Sequence, residues 1–459
     1  MTSLLADRTN RLGWALSGVA GVLLFAAFTI WGGIPGGDQT ALFWAQATVL
    51  FLVLCAFALL HWHLMIRPLA PNIRQPKSDP LPVRARQRIA VIQAGGALSI
   101  IVGGVWDEIW HRKYGIPFGE DFFWPPHLLM YFGFLTFIGV GFWALRYLNR
   151  RLKGNFQQRF RSNAIIGLVI LSAAFMLYAL AADPFWHWTF GEDLTAWSIP
   201  HLIMLLSFIV SLCLAVFVHL STIPLGKWRT IFKLKYADAL PLLVFACCLL
   251  IWLQLMLIDW DATLAGVQPA QLGLFRPEWL LAANLVGGAI FVGVLTTGIL
   301  RCAGAATATG LLALAIRYGL IQLFATDLLH YVAVIASLLP LLAIDLWAFY
   351  CSAIRKTEPE WRGTAIAVIL AMLPNAIVIR GLYNLQAADN LAYALAVVVT
   401  GIGMAWFSQQ IANAMSRKRQ ASLADQDEDT LIKPRVTFGL LGGFAVFMFF
   451  FIVTAPPPV

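Results

Sequence analysis

Long runs of apolar residues alternate with short polar segments along most of this chain. At a rise of 1.5 Å per residue, a helix of about 20 such residues crosses a hydrocarbon core of about 30 Å. Thirteen runs reach that length, and they lie near residues 12–33, 40–65, 88–110, 126–148, 163–184, 199–222, 238–259, 278–300, 303–325, 330–351, 363–383, 390–413 and 435–454. The pattern predicts an all-α, polytopic integral membrane protein with about thirteen transmembrane helices.

Composition supports the lipid bilayer as the main surrounding of the chain. Of the 459 residues, 60% are hydrophobic and only 12% are charged, and the mean hydropathy is +0.77. These values lie far outside the range of soluble globular domains. The six cysteines fall within or at the ends of apolar runs and form no CxxC pair, which indicates small core residues.

The basic residues are distributed in alternate loops. The net charge is +9, but Lys and Arg cluster before the first predicted span and after five later ones, in the segments 67–88, 146–161, 227–235, 355–362 and 417–435. The positive-inside rule then places the N-terminus in the cytoplasm and the C-terminus outside, in a bacterial inner membrane. Since topology accounts for the charge, we predict no nucleic-acid partner.

One motif occurs twice, about 75 residues apart. The first copy contains Asp107, His111 and His127, and the second contains Asp183, His187 and His201. Both copies share, in order, Asp, Trp-His, Gly-Glu-Asp, Trp, Pro-His, Leu and Met. Each copy covers the end of one predicted helix, a short loop and the start of the next helix. We therefore predict an internal repeat whose two loops face the periplasm or exterior.

The repeated residues are of the types that bind metals. In each copy the Asp and the first His are spaced i,i+4, which places both side chains on one helical face. The last His follows a proline at the first turn of the returning helix. Two imidazoles and one carboxylate suit iron, zinc or copper and leave coordination positions open. The alternative is a set of interfacial polar residues at helix ends. The nearby tryptophans suit an interfacial aromatic belt, with members Trp110, Trp124, Trp186 and Trp197.

The pattern Asp-x-x-Trp-His, an acidic loop and Pro-His resembles the C subunit of the copper membrane monooxygenases, the particulate methane and ammonia monooxygenases. The resemblance covers roughly residues 40–225. It implies one copper site at Asp107, His111 and His127 and a second at Asp183, His187 and His201. The first His-to-His interval is longer here than in the family, and Asp183 stands where the family has Asn.

The resemblance implies oxidation of ammonia or a small hydrocarbon by dioxygen at copper. It also implies a quinol or a periplasmic electron donor, and other monooxygenase-type subunits or further copies of the chain as partners. Two other classes stay open: a non-catalytic copper-binding, storage or delivery protein, and a secondary transporter. Iron and zinc also stay open as the metal.

The motif divides the chain into two predicted regions. Residues 1–237 form a six-helix membrane region that carries the duplicated motif, and residues 238–459 form a seven-helix region of unknown role. In the second region Arg317, Asp345 and Arg380 fall inside predicted spans, where an unpaired charge is costly. They predict either buried pairing between helices or a path for protons or substrate.

Overall fold

The computed structural model describes the chain over most of its predicted spans. The described residues are 39–66, 81–114, 123–151, 154–190, 199–223, 227–231, 236–255, 279–324, 335–383, 389–422 and 434–455. The first predicted span, near 12–33, lies outside them.

The described part is built from helices, with one minimal pair of strands. The first half contains α1 (Gln39–His61, continued as a π-helix over Trp62–Ile66), α2 (Val83–Tyr114), α3 (Pro125–Arg151), α4 (Phe156–Ser162), α5 (Ala164–Phe190), α6 (Ile199–Leu220) and β1 (Arg229–Thr230). The second half contains α7 (Tyr236–Leu253), α8 (Trp279–Leu300), β2 (Cys302–Ala303), α9 (Ala305–Phe324), α10 (Leu338–Phe349, continued as a π-helix over Tyr350–Arg355), α11 (Trp361–Tyr383), α12 (Asp389–Ser422) and α13 (Pro434–Thr454).

The helices confirm an all-α integral membrane protein. Ten of the described helices are long and apolar enough to cross a bilayer. Two further apolar stretches, 239–253 and 361–374, are shorter. Each predicted span from the second to the thirteenth falls on one of these helices, while the total of thirteen and the N-in, C-out orientation stay predictions.

Helix α2 lies at the centre of the bundle. Of its apolar window, 89% is buried inside the protein, whereas the corresponding value for α1 is 17%. Helix α2 packs against α3, α6, α7, α9 and α13. One cluster of buried side chains extends from Ala90 to Ile452 and includes residues of both predicted regions. The two regions therefore share a hydrophobic core.

Glycines allow α2 and α3 to approach closely. A Cβ atom on Gly103 would lie 2.8 Å from the Pro126 carbonyl oxygen, and one on Gly133 would lie 2.5 Å from the Gly96 carbonyl oxygen. Small residues at such crossings let helix backbones pack tightly in a membrane. The close contact fixes how α2 and α3 lie along each other, and with it the position of Asp107 relative to His127.

Two charged residues inside the spans interact with the ends of neighbouring helices. The Asp345 carboxylate on α10 accepts hydrogen bonds from the backbone amides of Thr307, at 2.6 Å, and Ala306, at 3.4 Å, in the first turn of α9. The Arg317 guanidinium on α9 donates to the carbonyl oxygens of Gln254, at 2.7 Å, and Ile251 at the end of α7. Each charge thus meets the helix end of opposite partial charge. Both charges are therefore paired between helices through backbone groups, and Asp345 also accepts a hydrogen bond from the Thr297 hydroxyl of α8 at 3.3 Å. The side chain of Arg380 lies outside the described residues.

We expect Asp345→Asn to destabilise the protein by about 1 to 3 kcal/mol, because it removes a buried charge that accepts backbone hydrogen bonds at a helix N-terminus. The measurement is thermal unfolding of the purified protein in detergent. Glu358→Gln is the control, since the Glu358 side chain is 67% exposed. Equal melting temperatures for wild type and Asp345→Asn would contradict a capping role for the carboxylate.

Candidate metal centre

The second copy of the motif lies where α5 ends and α6 begins. Asp183 and His187 are on the last turns of α5, one helical turn apart, and Pro184 lies between them in the helix. His201 is in the first turn of α6, directly after Pro200. Helices α5 and α6 pack against each other. Chain reversal between them therefore brings His201 back to the level of the other two residues, as the sequence predicts.

The Asp183 carboxylate is at the centre of this set. Its Oδ1 atom lies 3.5 Å from Nε2 of His187 and 3.5 Å from Nε2 of His201. One donor atom from each of the three residues lies within 4.8 Å of the others. Two atoms that each bind one ion at about 2.0 to 2.1 Å are separated by about 3 to 3.5 Å. The arrangement is thus close to the geometry of a three-ligand metal site.

The set is partly open to its surroundings. The side chains of His187 and His201 are 25% and 30% exposed, while that of Asp183 is 12% exposed. The two imidazole rings are tilted by 62° with centroids 6.0 Å apart. The carboxylate is therefore largely enclosed by protein, while the two imidazole rings are accessible to a further ligand of the metal.

A cluster of three aromatic rings, the Trp186 cluster, packs at the end of α5 and comprises Phe43, Trp186 and Phe190. Trp186 is 3% exposed and contacts Phe43 of α1 and Phe190, with ring centroids 5.4 and 4.6 Å apart. Near the same end of α5, Gln46 of α1 donates a 2.7 Å hydrogen bond to the Thr189 hydroxyl. Sequence reasoning did not identify Gln46; its only signal is an amide in an otherwise apolar stretch of α1. These contacts connect α1 to the helix that carries two of the three candidate ligands.

The first copy of the motif is described in part. Nε2 of His127 on α3 lies 3.1 Å from Oδ1 of Asp107 on α2. The His127 ring also lies near Tyr131, one turn further along α3, with centroids 5.9 Å apart. The side chain of His111 lies outside the described residues. The structure therefore brings together two of the three residues predicted for this set.

The prediction of an interfacial aromatic belt is wrong for three of its four tryptophans. Trp110, Trp124 and Trp186 are all buried, because they pack on other aromatic rings inside the bundle. Trp110 contacts both Trp106 and Trp124, with centroids 4.8 and 5.6 Å apart. Trp197 lies outside the described residues, as do the acidic loop residues Glu120, Asp121, Glu192 and Asp193.

The two sets are neighbours at one end of the bundle. Helices α3 and α5 pack against each other; with the short α4 between them in the chain, the start of α3 lies beside the end of α5. The first turn of α3, which carries His127, therefore lies near the last turns of α5, which carry Asp183. A metal ion in one set would therefore change the electrostatic field in the other.

Comparisons of the chain with protein-family models, with curated proteins and with solved structures find no match.

Proposed function

We propose that this protein is a membrane metalloprotein in which Asp183, His187 and His201 bind one transition-metal ion. The observation that carries the proposal is the position of Asp183, whose Oδ1 lies 3.5 Å from both imidazole nitrogens. Three convergent donors from two helices need only a small inward movement to reach metal-ligand distances. The first copy of the motif, with Asp107, His111 and His127, is proposed to form an equivalent site.

The donor types fit copper, iron and zinc, and we propose copper. Imidazole ligands suit copper, and a three-residue set leaves positions for water, dioxygen or substrate. When bound, the metal supplies redox chemistry with dioxygen. The protein's own groups hold and orient the ion: the carboxylate of Asp183 fixes both imidazoles, and the Trp186 cluster keeps the end of α5 in place.

The more specific proposal is oxidation of ammonia or a small hydrocarbon by dioxygen, as the resemblance to the C subunit of copper membrane monooxygenases implies. Its support is the repeated motif together with the contact of Asp183 with both histidines. It places the sets on the periplasmic side of a bacterial inner membrane. A quinol or periplasmic donor supplies electrons, and other subunits or copies of the chain complete the assembly.

The test is elemental analysis of the detergent-purified protein beside His201→Ala. We expect copper in the wild type and a loss of about one equivalent in the variant, since one of three ligands is removed. His63→Ala is the matched control, because His63 lies beyond the other end of α1 and is exposed. That variant should keep the wild-type copper content.

The possible results separate the alternatives. Copper that reacts with dioxygen and supports turnover of ammonia or a short hydrocarbon supports the monooxygenase proposal. Copper that binds without turnover of any small substrate favours a storage or delivery protein. Iron or zinc at the same residues would retain the site and refute copper, and equal metal content in wild type and His201→Ala would refute the site itself.

A further inference from the structure

A polar pocket lies at the opposite end of the bundle from the Asp/His sets. Helix α6 (Ile199–Leu220) carries His201 in its first turn, so the segment that follows its last residue, including β1, is at the far face. There a cavity of about 510 Å³ opens among the ends of several helices. We call it the far-face pocket, and its polar lining comprises Trp228, Thr297, Arg301, Glu358, Thr364, Gln409, Gln410 and Asn413. Its volume is that of a small-molecule site.

The short β1–β2 ladder places two of these side chains next to each other. Arg229 pairs with Cys302 in parallel register, so the preceding residues, Trp228 and Arg301, stand side by side. The backbone amide of Arg229 donates to the Arg301 carbonyl oxygen at 3.0 Å. The indole Nε1 of Trp228 is buried and, among the residues that the structure describes, has no hydrogen-bond partner. A buried donor without a partner is uncommon and indicates a missing acceptor.

Arg301 adopts a backbone conformation that would suit glycine better. Its φ is +46°, in the left-handed region, directly after the last residue of α8. Helices often end in this way, usually with glycine because a Cβ atom is unfavourable there. The arginine at such a position is one reason to test its side chain for a functional role. The described partner of that side chain is Glu358, at 3.0 Å, which is 67% exposed and gives a weak surface pair.

The groups around the pocket favour an anion. Among the described residues, its two charged lining residues are Arg301 and Glu358. The Glu358 side chain is 67% exposed against 27% for Arg301, so the carboxylate that Arg301 now contacts can move to solvent and be replaced by a ligand anion. Deeper in the lining, the Thr297 hydroxyl donates to Asp345 and the Thr364 hydroxyl donates to the Glu360 carbonyl oxygen. Each hydroxyl oxygen thus still has a lone pair to accept from a ligand. The side-chain amides of Gln410 and Asn413 offer both donors and acceptors.

We propose that the far-face pocket binds a phosphate ester that carries hydroxyl groups, of the phosphoglycerol type. The phosphate oxygens accept hydrogen bonds from the Arg301 guanidinium and, once the indole ring turns toward the cavity, from Nε1 of Trp228. The ligand hydroxyls donate to the threonine and amide oxygens. Glu358 is released to solvent when the anion enters. Such a group occurs in a phospholipid headgroup and in free glycerol phosphate, and the position at helix ends is accessible to both.

The test measures binding to the full-length protein in detergent by titration, with sn-glycerol 3-phosphate and with a short-chain phosphatidylglycerol. We expect saturable binding of at least one probe, and a loss of about tenfold in affinity in Arg301→Gly. Glycine suits the backbone at position 301, so the melting temperature should not fall. Trp228→Phe keeps the ring, removes the donor and should also weaken binding.

Lys356→Gly is the matched control. Lys356 also has a positive φ, +58°, at the end of a helix, but it does not line the pocket; its substitution should leave binding unchanged. Binding of the lipid alone supports a headgroup site, and binding of glycerol phosphate supports a soluble ligand. A short-chain phosphatidylcholine that binds equally well, no saturable binding of either probe, or equal affinities for wild type and Arg301→Gly would overturn the proposal.

Discussion

Asp183→Ala should weaken copper binding to its set by about 100-fold or more. The carboxylate lies 3.5 Å from both His187 and His201, so its loss removes a ligand and also a contact that orients both imidazoles. The measurement is a competition titration of the purified protein against a copper chelator of known affinity. In the absence of metal, we expect the melting temperature of Asp183→Ala to stay close to that of the wild type.

Asp183→Asn gives a finer test of the same site. The amide retains an oxygen donor and the shape of the side chain but loses the negative charge, so the affinity should fall between those of wild type and Asp183→Ala. The control is Glu358→Ala, which removes a carboxylate at the other end of the bundle. If Asp183→Ala bound copper as tightly as Glu358→Ala, Asp183 would have no ligand role.

Gly133→Ala should destabilise the bundle by about 1 to 3 kcal/mol. The added Cβ would lie 2.5 Å from the Gly96 carbonyl oxygen and 3.0 Å from the Ile100 amide nitrogen, and backbone atoms of α2 cannot turn aside as a side chain can. Helices α2 and α3 must therefore separate. We expect a lower melting temperature in detergent and a weakened contact between Asp107 and His127.

Gly139→Ala is the matched control on the same helix. A Cβ at Gly139 would meet nothing within 4 Å, so alanine there should be tolerated and should favour the helix. If both variants melted at the same temperature, the close approach of α2 and α3 would not limit stability. A drop in stability for Gly133→Ala without any change in metal content would separate packing from the metal set.

Much of the candidate site was predictable from local rules. The i,i+4 spacing of Asp183 and His187 determines their shared helical face, and the proline before His201 marks the first turn of the next helix. Repetition of the motif then selected these residues from eight histidines. The aromatic prediction was wrong because composition cannot distinguish a tryptophan at the membrane interface from one packed inside a bundle. Trp110 and Trp186 are buried by neighbouring helices.

The sequence by itself determined that this is an all-α membrane protein, where most of its helices lie and which residues form the repeated Asp/His sets, because lipid selects long apolar helices and helical spacing is local. The tertiary structure decided the rest. It showed that His127 contacts Asp107, that Asp345 meets the N-terminus of α9, and that Trp228 stands beside Arg301. Each of these contacts joins residues distant in the chain, and only the packing of helices against one another brings them together.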